Sequence, residues 1–123
     1  MAQAVEQAVS EATKRSFRVV LDTPQGLRSF DCGEDEYVWD AAARNGIQLP
    51  AICHQGRCLT CAGKLLEGVV DQSDAAAYFP EDKEAKFVLL CRAKPRSDLR
   101  ILTHQQWAMR AYRVAHKLPA PYS

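Results

Sequence analysis

Cys53, Cys58, Cys61 and Cys91 are the side chains of this 123-residue chain whose type and spacing point to chemistry. Cys53-x4-Cys58-x2-Cys61 is followed by 29 residues and then Cys91, a spacing by which four thiolates hold a [2Fe–2S] cluster. Two irons bridged by two sulfides need four terminal thiolates. Three come from one tight loop, and the fourth arrives from a distant part of the chain. Such a site moves single electrons. The nine residues from Cys53 to Cys61 also have room to aim several backbone N–H groups at the sulfurs. Those donors, the local charge and solvent access set the reduction potential.

A structural zinc site with four thiolate ligands is the competing reading. Zinc sites of that kind more often carry two short Cys pairs, whereas this chain has one C-x2-C step, one C-x4-C step and an isolated Cys91. His54 lies inside the loop, but a centre with mixed His and Cys ligands needs two histidines, so His54 reads as a loop-surface residue. His104 and His116 have no ligand spacing and read as surface or helix-packing residues. The fifth cysteine, Cys32, reads as a small buried thiol near a strand end; five cysteines is an odd number, which argues against a disulfide framework.

The elements that must position the ligands are legible in outline. Residues 17–22 alternate and are β-rich, Thr23-Pro24-Gln25-Gly26 is a turn, and 27–32 reads as a second strand, so the chain opens with a hairpin. A helix is predicted over 37–45, with Glu34, Asp35 and Glu36 favouring its start, Val38, Ala41 and Ala42 on one face and Asn45-Gly46 stopping it. Pro50 stiffens the approach to the cysteine loop and Gly56 lets it turn. A short strand is predicted over 62–66, a turn at Glu67-Gly68 and a loop with one helical turn over 71–82. A buried strand over 87–90 carries Cys91 at its end, and a last strand covers 99–103. The pattern is α+β, a helix laid across a mixed sheet.

The length suits one domain with a modest core. There is no apolar run near the roughly 18 residues of a membrane span. The N-terminus, with Glu6 and Glu11 and no apolar core, does not read as a secretory signal or a transit peptide. A cytoplasmic location is the expectation, although a mature plastid protein would look similar. The net charge of +1 hides a separation. Residues 1–90 carry nine Lys/Arg against fourteen Asp/Glu; from Cys91 onward Arg92, Lys94, Arg96, Arg100, Arg110, Arg113 and Lys117 face one acid, Asp98. Such separation acts on docking and association rate more than on fold.

Together these residues resemble the plant-type [2Fe–2S] ferredoxins of cyanobacteria and plastids. The resemblance rests on Asp40-Ala41-Ala42, Leu49-Pro50, Cys53-x4-Cys58-x-Thr60-Cys61-Ala62-Gly63-Lys64-Leu65, Gly68-x-Val70-Asp71-Gln72-Ser73-Asp74, Val88-Leu89-x-Cys91 and Thr103-His104. It covers roughly residues 17–106. It implies a β-grasp (ubiquitin-like) fold and a soluble one-electron carrier rather than an enzyme, with one cluster per chain. Cys53 and Cys58 would hold one iron, Cys61 and Cys91 the other; Cys32 matches a common non-ligand position. The implied partners are redox proteins, reductases or photosystem-linked donors, with no nucleic acid and no membrane span, and the chain is expected to be a monomer in a cyanobacterial cytoplasm or plastid stroma.

The departures from that family bear on role. Its loops usually read Cys-Arg-Ala-Gly-(Ala/Ser)-Cys-Ser-x-Cys; here Leu59 replaces a serine, Ile52 replaces the serine before the first cysteine, and Arg57 adds a cation. Loss of a hydroxyl donor lowers the potential, and an added cation raises it. The charge is the larger effect unless solvent screens it, so a potential above the roughly −400 mV of the plant type is expected. An aromatic residue and a glutamate that serve the exchange with ferredoxin–NADP⁺ reductase align with Ala77 and Gln106, although Tyr78 and Phe79 follow. Glu81, Asp82 and Glu84 are interleaved with Lys83 and Lys86. The reductase is therefore expected to be a weak partner.

Domain organisation is read as a flexible N-terminal extension over 1–16, a cluster domain over 17–106 and a C-terminal helical extension over 107–123, like the C-terminally extended variety of the family. Trp107, Ala111, Val114 and Leu118 form one apolar stripe, with Arg110, Arg113 and Lys117 as a basic face and Pro119 and Pro121 ending the helix. The stripe is expected to dock on the protein's own sheet; the alternatives are a partner-binding or a membrane-surface helix. A carrier is the first functional reading, and a redox- or iron-sensing module acting through the basic helix is the second.

Overall fold

The computed structural model describes residues 15–51 and 59–120. β1 (Ser16–Thr23) and β2 (Gly26–Gly33) form the expected hairpin, with Ser16 opposite Gly33 and Thr23 opposite Gly26. Alternation turns Val19 and Leu21 of β1 inward, where both are fully buried. Thr23 ties the turn: its Oγ1 donates to Gly26 O at 2.7 Å and accepts from Gln25 N at 3.1 Å.

α1 (Val38–Arg44) follows, burying the predicted face of Val38, Ala41 and Ala42. One member of the acidic run ahead of it, Glu36, also ties two elements together. Glu36 Oε1 accepts from Gly33 N at 3.1 Å and from Arg44 Nη2 at 2.8 Å, so it joins the end of β2 to the last turn of α1. The Arg44 hydrogen bond is the main reason the Glu36 carboxyl lies below its ordinary range. Asn45 Nδ2 donates to Ala41 O at 2.7 Å and closes the helix.

β3 (Ala62–Glu67), β4 (Val70–Asp71), α2 (Pro80–Glu84), β5 (Phe87–Leu89), a 3-10 turn (Leu90–Arg92), β6 (Lys94–Pro95), β7 (Leu99–Leu102) and α3 (Gln106–Ala115) complete the chain. The main sheet runs β2-β1-β7-β3-β5, with β1 parallel to β7 and the other pairs antiparallel; β4 and β6 form a separate ladder. A mixed sheet with α1 across it is the β-grasp arrangement. Two glycines permit close approach. A Cβ at Gly63 would lie 2.8 Å from Ile101 Cγ2 on the neighbouring strand, and Gly68 has φ +104° with Asp98 O against it.

Two cores result. Val19, Leu21, Phe30, Val38, Ala41, Val88 and Ile101 belong to the one between sheet and α1. Leu59, Cys61, Ala62, Phe87, Leu89, Cys91 and Met109 make the second. Among the described residues no helix is long and apolar enough to cross a membrane.

Candidate metal centre

Cys61 immediately precedes β3, and Cys91 lies in the 3-10 turn after β5 rather than on the strand itself. These strands pair antiparallel with Ala62 opposite Leu89, so the start of one meets the end of the other. Leu90 N donates to Cys61 O at 3.2 Å, and the two Sγ atoms lie 3.2 Å apart. That exceeds the ~2.05 Å of a disulfide. Both cysteines are nearly dry, with 2% and 4% exposure.

Gln72 holds the turn that carries Cys91. Its Oε1 accepts from Leu89 N at 2.6 Å, and its Nε2 donates to Leu89 O and Arg92 O, each at 3.1 Å. The outward edge of β5 is thereby satisfied by a side chain, and Tyr78 continues the cover by donating to Phe87 O at 2.6 Å. Burial pushes the Tyr78 hydroxyl well up, which keeps it a donor. Gln72 appeared in the sequence only as part of a motif. Its bracing role depends on residues 17 and 20 positions away, with no local signal.

Of the four predicted ligands, the structure brings Cys61 and Cys91 together, while Cys53 and Cys58 lie outside the described residues. Ile52, His54, Gly56 and Arg57 lie outside them too. Two soft sulfur donors converging in an apolar pocket fit a thiolate-bound metal group. Cys32 is elsewhere, fully buried in the other core, with its Sγ–H directed at Glu36 O 3.4 Å away. Burial, then the Glu36 charge, pushes its thiol up to about 12, so it stays protonated at neutral pH. His104 Nδ1 lies 2.7 Å from Thr103 Oγ1, and His116 stacks on Tyr112 with ring centroids 4.0 Å apart.

Residues 22–96 match the family described as a 2Fe-2S iron-sulfur cluster binding domain. Ferredoxin-2 of Synechococcus sp. is 46% identical over 79 residues, which is 64% of this chain and 75% of that one. The chain belongs to the plant-type [2Fe–2S] ferredoxin family. Its cofactor is therefore one [2Fe–2S] cluster rather than structural zinc, and its family consists of electron carriers. A chloroplastic ferredoxin-6 of Zea mays is 33% identical over 99 residues, 80% of this chain and 64% of that one. The crystal structure of pectocin M2 superimposes with a TM-score of 0.67 at 32% identity, over 74% of this ferredoxin and 33% of pectocin M2.

α3 corrects one sequence expectation. The stripe expected to dock inward faces out, with Trp107 at 68% and Val114 at 58% exposure and Ala111 exposed between them. The buried residues are Met109 and Arg113, the latter read from the sequence as part of the basic face. The reason is a partner remote in sequence. Arg113 Nη2 donates to Asp82 Oδ2 at 2.8 Å and Nε to Oδ1 at 3.2 Å, with both side chains fully buried. Nη2 also reaches Ala77 O at 2.8 Å, Nη1 reaches Pro119 O at 2.9 Å, and the guanidinium lies over the Phe79 ring. Four of the five guanidinium donors are used by this set, a match that no apolar side chain of the stripe could make.

Gln106, at the start of α3, stands where the resemblance places a glutamate in this ferredoxin. Its Oε1 is buried with no hydrogen-bond partner among the described residues. A neutral amide tolerates that position better than a carboxylate, whose unpaired charge costs far more to bury.

Proposed function

We propose that Cys53, Cys58, Cys61 and Cys91 are the four cluster ligands, and that this ferredoxin is a one-electron carrier with a raised potential and a changed choice of partner. The observation that supports the ligand set is the convergence of Cys61 and Cys91, from segments 30 residues apart in sequence, to 3.2 Å in a dry pocket. The bound cluster supplies the one-electron couple. The chain supplies thiolates, excludes water and provides the compensating charge. Arg57 carries the raised potential, since a cation favours the more negative reduced state; Leu59, fully buried beside Cys61, lacks the hydroxyl donor of the family loop and pulls the potential down by the smaller amount.

An EPR-monitored potentiometric titration tests this. A one-electron rhombic S = 1/2 signal with a midpoint above roughly −400 mV is expected, and Arg57→Ala is expected to lower the midpoint. A midpoint at or below that value, unmoved by the substitution, overturns the raised potential.

Changed partner choice is supported by Ala77 and Gln106 at the two reductase-exchange positions, and by the outward Trp107–Val114 face beside exposed Lys117. Reductases or photosystem-linked proteins of a cyanobacterial cytoplasm or plastid stroma are the partner class, with ferredoxin–NADP⁺ reductase a weak member. The same face favours the second reading, a redox-gated module that signals through α3. Electron turnover with ferredoxin–NADP⁺ reductase separates the two: slow turnover that rises when Ala77 is made aromatic and Gln106 is made Glu supports the carrier. Turnover untouched by both, together with partner affinity that changes on reduction, favours the sensor.

A further inference from the structure

We infer that α3 is a lid over the Cys61–Cys91 side of the cluster, and that Met109 is the residue that seals it. The inference rests on the proposed ligand set and adds a role for a segment beyond the family match, which ends at residue 96. Met109 is fully buried and packs in the same core as Leu59, Cys61, Ala62, Leu89 and Cys91. Its helix is tied down at both ends. Gln105 N donates to Ala62 O at 3.0 Å, one residue from Cys61. Further along, Tyr112 donates to Glu81 O at 2.9 Å, its ring meets Phe87 at 5.6 Å, and Arg113 binds Asp82. The unbranched, polarisable thioether suits an irregular wall lined by sulfur.

The consequence for the couple follows from charge. Reduction adds one negative charge, so water stabilises the reduced site more than the oxidised one, and removing water lowers the potential. Arg113, the buried one of the two arginines on α3, does not cancel this effect, because it is paired with Asp82 and the pair is neutral. The lid therefore works against Arg57, holding the potential below the value of the same site uncovered. It also closes one route by which solvent, oxidants and chelators reach the sulfurs.

The test compares Met109→Ala with Met109→Leu in the full-length holoprotein, each assayed first for iron and sulfide. Met109→Ala is expected to favour reduction about tenfold at a given applied potential, an upward shift of about 59 mV for a one-electron couple. Loss of the visible bands to a ferrous chelator is expected to speed up by a similar factor. Met109→Leu keeps the volume and stays near the parent in both. If Met109→Ala fails to assemble, Met109→Val reads the same two changes at smaller size. A cluster-loaded Ala or Val variant with unchanged midpoint and unchanged chelation rate overturns the lid while leaving the ligand set standing. Parent protein without iron and sulfide overturns the ligand reading itself.

Discussion

Replacing Cys91 by alanine is expected to abolish the cluster: the purified variant loses its visible bands, its S = 1/2 signal on reduction and its bound iron. Cys91 is held in the 3-10 turn by the hydrogen bonds of Gln72 and by Leu90 N to Cys61 O, so its sulfur arrives at Cys61 already placed. Among the described residues no group of three or more His, Cys, Asp or Glu side chains gathers here, and Cys61 and Cys91 share their core with Leu59, Ala62, Phe87, Leu89 and Met109. Three thiolates leave one iron short of a ligand, and an apolar pocket does not supply one. The missing sulfur atom itself leaves a small cavity worth about 1–2 kcal/mol, to which the loss of the cluster's own contribution to folding adds. Cys32→Ala is the matched comparison. Cys32 is as deeply buried, but in the other core, and its thiol is protonated at neutral pH. That variant is expected to keep a full complement of iron and sulfide. Equal cluster content in the two variants overturns the assignment of Cys91.

The contrast between these two cysteines shows what the sequence could carry. Spacing singles out Cys91 as the proposed fourth ligand although it is distant, because a Cys-x4-Cys-x2-Cys loop calls for one remote thiolate, and the fold sets Cys91 beside Cys61 and Cys32 in the other core. Periodicity likewise carried the opening hairpin and α1: Val19 and Leu21 alternate inward, and Val38, Ala41 and Ala42 recur at helical spacing and are buried. The same reasoning fails at β4 and β6, whose two-residue ladder is too short to have a period. It fails more instructively at α3. A hydropathy pattern scores arginine as solvated and tryptophan as buried, and here both are reversed. What decides the matter is Asp82, 31 positions upstream, whose buried carboxylate makes Arg113 the better residue to bury. Once Arg113 turns inward, Met109 follows on the same face four residues earlier, and Trp107, Ala111 and Val114 are turned to solvent.

Asp82→Asn should therefore act far beyond its size. The substitution keeps shape and one acceptor oxygen but strands the Arg113 guanidinium as an uncompensated charge with no exposure to water. Removing one partner of a buried pair typically costs about 3–5 kcal/mol. Anaerobic melting of the holoprotein at a fixed scan rate should show a midpoint lower by on the order of 10–20 °C. Asp31→Asn gives the scale of an ordinary pair. It removes the Arg18–Asp31 contact, whose side chains are 57% and 71% exposed, and should cost under about 1 kcal/mol, a loss that salt screens. The Asp82→Asn loss should persist in high salt. Pairing it with Arg113→Met removes the stranded cation and should recover much of the stability, because a neutral, well-packed pair replaces a broken ionic one. The functional reading of the pair makes a second demand. Asp82 and Arg113 fasten the helix that places Met109, so Asp82→Asn should also strip its cluster to a chelator faster than the parent does. The double variant, with α3 packed again, should strip more slowly than Asp82→Asn. Stability lost without faster stripping would make the ion pair a staple of the fold alone, and the seal at Met109 would then have to hold without it.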